Sequence, residues 1–365
     1  MSEHMTVVKQ TAATYVKGHE DLTRRGRLIM ALLNDEGRIK TKETGFSWTY
    51  NLKVRERGLR PLASGTRPEF VAHDSDEQLT FDSRGYYKSD FVSDKDKSMN
   101  SGPQAIVDRY NDILPDLLSE MDNHLPAEFL ADGIADTSRF LGLESFFGTT
   151  GSTVAADKIA QPGVSSYAGK PTTLGGLGGT WGATMSTYPN ANLAKDWPFG
   201  SGSTDYDANS PKILNTTSTS WTGTATWKAN CEVVMSHAMM WCNRLNGDDR
   251  GLFLHLLSDD LFQDFKDHYR LKNVRLEPNE RAAELGFNGV LNFEGAMIKS
   301  DFDVATGVGY GVNFNAMELF SIKDQLLFSQ GPEFSMDRQG YMFLVGIYGN
   351  IKCLPKFFAK YKAIA

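Results

Sequence analysis

From Phe46 to Val54 the chain is apolar at every second position: Phe46, Trp48, Tyr50, Leu52 and Val54 alternate with Ser47, Thr49, Asn51 and Lys53. Successive side chains of a strand point to opposite faces, so this alternation predicts a strand with one aromatic face. A polar connection marked by Gly and Pro follows, and then a second alternating stretch in which Leu79 and Phe81 start an aromatic strand that runs on to Phe91. The first strand is basic on its polar face (Lys53, Arg55, Arg57) and the second is acidic around its start (Asp74, Asp76, Glu77, Asp82). Opposite charges across a hairpin help to set register. The pattern predicts a long two-stranded ribbon over 45–100. An isolated ribbon is marginal in water, so its aromatic face packs either on a neighbouring molecule or on a sheet of the same chain.

The rest of the pattern is mixed. Leu22, Leu28, Ile29, Leu32 and Leu33 in a charged stretch predict an N-terminal arm with a short helix over about 20–34, too polar for a core element and suited to lying against another subunit. Ile106, Tyr110, Ile113 and Leu117 fall on one helical face and predict one long helix, started near Pro103, kinked at Pro115 and stopped by Gly133. Residues 160–222 turn polar and rich in Gly, Ser, Thr and Asn, too long for a plain connector, although Trp181, Trp197 and Trp221 argue against a pure linker. A second apolar stripe joins Trp227, Cys231, Val234, Ala238, Trp241 and Leu245, with Gly247 as its stop. "GLFLHLL" predicts a strand, Ser258 a cap for the helix "DDLFQDFKDHYR", and "GVLNFEGAMIKSDFDV" a set of short strands. Tyr341–Tyr348 is apolar on both faces, as for a strand covered on both sides, with a turn or bulge at Gly349-Asn350 and a short resumption to Leu354. The class is α+β, with the ribbon outside the core.

Composition narrows the functions. The 365 residues are 41% hydrophobic, enough for a substantial core, and carry a formal net charge of −7, which gives no polycationic footprint for strong nucleic-acid binding. Cys231, Cys242 and Cys353 form no C-x-x-C and have apolar neighbours, so they read as buried thiols in a reducing compartment. No basic region followed by an apolar one opens the sequence, and no apolar run reaches the roughly 18 residues of a membrane span, so neither a signal peptide nor a membrane association is expected.

Candidate chemistry is sparse. His237, His255 and His268 have no metal-ligand spacing, and "TLGGLGGTWG" lacks the lysine of a phosphate-binding loop. His255, Ser258 and Asp259 are too close in sequence to make a triad, and Ser258 reads as a cap. No catalytic residue, metal ligand or cofactor site is expected. The conspicuous features are architectural.

In that order, and in its last third, "GVGYGVNFNAMELFSIKDQLLFSQGPEFSMDRQGYMFLVGIYGNIKCLPKFFAKYKAIA", the chain resembles the major capsid proteins of tailed bacteriophages with the Hong Kong 97-like fold. The resemblance implies an N-terminal arm (1–44), an extended hairpin or E-loop (45–100), a peripheral domain with a spine helix (101–150), an axial domain (151–310) holding the polar insertion of 160–222, and a return to the peripheral domain with a closing strand and a short lysine, proline and aromatic tail (311–365). It implies self-assembly into hexamers and pentamers of an icosahedral head, in a virion assembled in the host cytoplasm. Its partners would be portal, scaffolding and cement proteins and nonspecifically held double-stranded DNA. Subunit contacts are expected at Phe46, Trp48, Tyr50, Arg55, Arg57, Phe81, Tyr87 and Phe91. An encapsulin-like compartment shell with protein cargo and a soluble enzyme are the alternatives.

Overall fold

Why the last third of the chain is so apolar is answered by its position: one long strand, Gly340–Cys353, is the centre of a sheet. In this computed structural model the described residues are 28–42, 46–53, 67, 76–99, 109–148, 159–160, 164, 166–168, 170–171, 211–243, 252–272, 276–287, 289–323, 326 and 328–364. One edge of the closing strand pairs antiparallel with Arg84–Ser93 along its first ten residues. The other edge takes Phe328–Ser335 and then Met317–Ile322, and Ile39–Lys42 joins the latter in parallel. The strand is continuous through Gly349-Asn350, where a turn or bulge was expected. A Cβ at Gly349 would collide with the Phe320 carbonyl, so glycine permits the close pairing. Buried Asn350 fills gaps in the ladder: its amide donates to the Asp82 carbonyl, and its oxygen accepts from the Leu141 and Ile351 amides at 2.9 and 2.8 Å.

The Arg109–Glu128 helix covers one face of this sheet. Ile113, Leu117, Met121, Leu125 and Phe129 recur every four residues and are all buried, so the predicted face is found at Ile113 and Leu117, while Ile106 lies outside the described residues. The helix ends earlier than Gly133. Pro126 lies in its last turn, and Phe129, Leu130 and Ala131 follow with tightened bonds to the carbonyls three residues back. Tyr86 and Arg139 converge on Glu128 and tie the strand to this helix end. The Leu28–Asp35 helix is not a loose arm: Leu28, Ile29, Leu32 and Leu33 are buried in the same core. Residues 1–27 lie outside the described set.

The second sheet has seven strands, in the order Leu291–Phe293, Ala296–Ser300, Phe253–Leu257, Val308–Asn313, Ala359–Lys362, Lys212–Asn215 and Ile159–Ala160. Phe253–Leu257 is buried at every position because its alternate residues serve two cores: Leu254 and Leu256 face the first, Phe253 and Leu257 a second one under helices Trp227–Cys242 and Asp259–Leu271. The predicted stripe Trp227, Cys231, Val234, Ala238 and Trp241 forms that second core, while Leu245 and Gly247 lie outside the described residues. Ser258 occupies the cap position, yet its side chain makes no cap hydrogen bond.

The lysine-rich end is a core strand, where a tail was expected. Ala359–Lys362 runs between Val308–Asn313 and Lys212–Asn215. Lys360 is tolerated there because it is paired: its side chain, 5% exposed, meets Glu144 at 2.6 Å and donates to the Gly148 carbonyl, and Tyr310 bonds the same carboxylate. Burial lowers the lysine pKa, and Glu144 opposes the shift. The polar insertion is likewise anchored at both ends. Tyr167 is fully buried against Phe81 and Phe146, and Ile213 and Leu214 belong to the cores.

Candidate subunit-contact surface

The predicted ribbon exists, and its position differs from expectation. Ser47–Lys53 pairs antiparallel with Asp76–Asp82, with Trp48 opposite Phe81 and Lys53 opposite Asp76, as the charge pattern requires. At Ser83 the second strand leaves the ribbon and enters the central sheet as Arg84–Ser93. Ten residues of the expected projecting element therefore belong to the central sheet. Ser83 still donates to the Phe46 carbonyl, and Arg84 donates to the carbonyls of Gly133 and Arg139, which fixes the changeover.

The aromatic face of the ribbon packs on its own chain. Trp48 is 5% exposed and lies 6.2 Å from Phe320; Phe81 is 2% exposed and lies against Tyr167. Tyr50 sits 4.8 Å from Phe320 under the Lys352 ammonium, and burial beside Glu318 raises its hydroxyl pKa. Trp48, Tyr50 and Phe81 are thus corrected from exposed subunit contacts to intramolecular packing. The alternation showed that the face needs a cover but did not say which surface supplies it. Arg55 and Arg57 lie outside the described residues. Phe46 (87% exposed) and Tyr87 (73% exposed) remain open, and Phe91 is half-buried.

Tyr87 and Phe91 belong to a larger open surface. Among the described residues the central sheet carries a helix on one face only. On the other face the register aligns Tyr87 with Gly346 and Phe328, Phe91 with Met342, and Gly85 with Tyr348. Phe328 and Tyr348 stack at 5.0 Å and 12°. A groove of about 430 Å³ runs beside them, lined by Phe91, Met342 and Leu344 and by Asp90, Glu333 and Arg338. This corrects the reading of the closing strand as covered on both sides: Met342 and Tyr348 are exposed. Sequence reasoning missed Phe328, Met342 and Tyr348. The signal was the set of even positions 342–348, which the equally apolar odd positions concealed. The adjacent hairpin tip exposes Phe334 and Met336. Exposed apolar side chains gathered on one face are a common feature of interaction surfaces.

The ionisable groups inside the chain serve packing. His255 is fully buried, with Nδ1 2.7 Å from the Tyr361 hydroxyl, and burial lowers its pKa to about 3. All three cysteines are free and buried, and burial pushes the Cys231 thiol up to about 12. Among the described residues no cluster of His, Cys, Asp and Glu could hold a metal ion, and no helix is long and apolar enough to cross a membrane.

No family model matches the chain, and no curated protein matches its sequence. Solved structures do match. The capsid asymmetric unit of cyanophage A-1(L) superposes with a TM-score of 0.61 at 12% identity, covering 99% of this chain and 99% of that one. The capsid of a native GTA particle matches with a TM-score of 0.56 at 12% identity, over 97% of this chain and 95% of that one. The SrpI encapsulin complex of Synechococcus elongatus matches with a TM-score of 0.52 at 10% identity, over 98% and 94%. From end to end, this chain has the fold shared by bacteriophage capsid proteins and an encapsulin.

Proposed function

We propose that the chain is the major capsid protein of a tailed double-stranded DNA bacteriophage, a structural subunit that associates with copies of itself into hexamers and pentamers of an icosahedral head. The observation that carries this reading is the nearly complete mutual coverage by the cyanophage capsid protein. The open aromatic surface at Tyr87, Phe328 and Tyr348 supports it, because a shell subunit must bury such a surface against neighbours.

In this reading residues 1–44 are the arm, of which 28–42 is built into the core, and 45–100 is the E-loop, of which 84–93 is built into the central sheet. The long helix is the spine of the peripheral domain, and the seven-stranded sheet with its two helices is the axial domain. The Ala359–Lys362 strand then belongs to the axial side. Portal, scaffolding and cement proteins are its partners, the virion is its destination and the host cytoplasm its place of assembly. Contact with packaged DNA is nonspecific, in keeping with a net charge of −7.

Electron microscopy of the purified protein tests the proposal: closed shells or capsomers are expected, and a monomer at high concentration near neutral pH refutes it. The encapsulin likeness supports a second reading, a compartment shell. Particle contents separate the two. Nuclease-protected DNA favours the phage, and co-purifying enzyme peptides favour the compartment.

A further inference from the structure

We propose that the outer edge of the Arg84–Ser93 strand pairs antiparallel with the same strand of a second copy, across a two-fold axis at Ser89. The inference rests on the reading that copies of this chain associate, and it names one contact between them.

Among the described residues the edge is open: this strand pairs only with the closing strand. Which groups point outward follows from two side-chain bonds. The Phe91 amide is met by its own neighbour, Asp90 Oδ1, at 2.7 Å. On the closing strand, the Tyr348 carbonyl accepts from Ser321 on the far edge. Backbone groups alternate in direction along an antiparallel strand. The even residues Tyr86, Lys88, Asp90 and Val92 therefore bond the closing strand, and the odd residues Gly85, Tyr87, Ser89 and Phe91 point out.

The edge also lacks backbone blocks to pairing. Natural edge strands are kept from pairing by proline, bulges, brevity or charged side chains, and of these the strand has the charges alone, at Arg84, Lys88 and Asp90. The opposite edge strand of this sheet, Phe328–Ser335, has such devices: Pro332 and a register shift between Gln330 and Glu333. Arg84–Ser93 runs ten residues without proline or bulge.

Charge then selects the occupant and its register. Self-pairing must place odd residues opposite odd residues. With Ser89 opposite Ser89, Lys88 faces Asp90, Arg84 faces Asp94, and Tyr87 faces Phe91. A shift by two residues in one direction sets Lys88 against Lys88, and in the other direction Asp90 against Asp90. Like charges directly opposite are destabilising. The centred register is thus self-complementary, as an isologous contact requires. The partner's backbone replaces Asp90 at the Phe91 amide, which frees that carboxylate for the partner's Lys88. Lys88 now holds Glu120 at 2.8 Å.

Cysteine cross-linking tests this on the full chain. Ser89 is exposed, and the native cysteines are buried. Under mild oxidation Ser89→Cys is expected to migrate on a non-reducing gel at twice the 40.5 kDa chain mass. Tyr87→Cys is expected to stay single, because its copies would stand roughly 13 Å apart, beyond disulfide reach. Lys88→Asp in the Ser89→Cys background should abolish the linked dimer, and adding Asp90→Lys should restore it. Equal linking at positions 87 and 89, or no linking at 89, overturns the proposal. Shells that form from the Ser89→Cys chain without that link refute this contact and leave the shell reading intact; linked dimers without shells do the reverse.

Discussion

His255 should make the subunit acid-labile well above the pH at which carboxylates protonate. The imidazole is fully buried between Phe253, Phe293 and Tyr361, with ring centroids 4.9–6.0 Å away. Its hydrogen-bond partner is the Tyr361 hydroxyl, itself buried and pushed far above the usual tyrosine pKa, so the phenol stays neutral. Among the described residues no anion shifts the ring, and burial alone lowers its pKa from 6.5 to about 3. The unfolded chain takes up a proton below pH 6.5 that the folded chain refuses. Stability from the neutral ring is therefore complete above pH 6.5, falls as the pH drops, and levels off once the folded group titrates near pH 3. At about 1.4 kcal/mol per unit the slope amounts to about 5 kcal/mol across the window, comparable with the whole stability of many domains.

The perturbation is His255→Gln, which keeps a polar partner for Tyr361 and removes the titration. Urea midpoints of the unassembled subunit at about pH 7, 5.5 and 4.5 give the comparison. At neutral pH the variant should be the less stable, by a modest packing cost. Between about pH 6.5 and 4.5 the native chain should lose about 2.7 kcal/mol relative to the variant. Parallel pH profiles for the two chains would refute the reasoning, because they would mean that the ring keeps an ordinary pKa and that its burial is relieved by solvent.

Trp48→Ala should destabilise the subunit itself by about 3–5 kcal/mol, seen as a lowered urea midpoint before any assembly, because the indole is buried on Phe320 of its own chain. Tyr87→Asp should leave circular dichroism and melting unchanged and abolish shells in electron micrographs, because that ring is exposed on the open sheet face. Lys360→Met should cost about 3–5 kcal/mol by stranding Glu144, and Lys360→Met with Glu144→Gln should recover much of it in the same unfolding assay. Denaturing gels of mature particles should show a single band at 40.5 kDa, because the Lys88 amine, close to the ribbon, is already engaged by a carboxylate, Glu120 at 2.8 Å, and an amide cross-link would have to displace it.

Periodicity made the elements legible, and their destinations were not. The alternation from Phe46 onward gave a strand, and the spacing of Ile113 and Leu117 gave the buried face of the long helix. Both are local properties of the backbone repeat. Whether Trp48 meets Phe320 of its own chain or a neighbour depends on a contact between residues far apart in sequence, which no local pattern encodes. The closing strand shows the same limit in reverse. Its apolar residues on both faces suggested cover on both sides, but an uncovered face meant for association has the same composition as a covered one. Lys360 misled for a different reason. Lysine reads as surface, and pairing with the Glu144 carboxylate and the Gly148 carbonyl makes this one tolerable inside.

The segment Gly340–Lys362 links the two sheets. It supplies the centre of the first sheet and, one short turn later, a central strand of the second. Among the described residues Arg84–Ser93 has it as its pairing strand, and its last strand joins Lys212–Asn215 to Val308–Asn313. It also supplies half of the open aromatic face, at Met342, Leu344 and Tyr348. A subunit that lacks these residues therefore has neither a finished core nor an association surface, and the two appear together. The fourteen-residue strand, far longer than the usual five or six, is the physical form of that coupling.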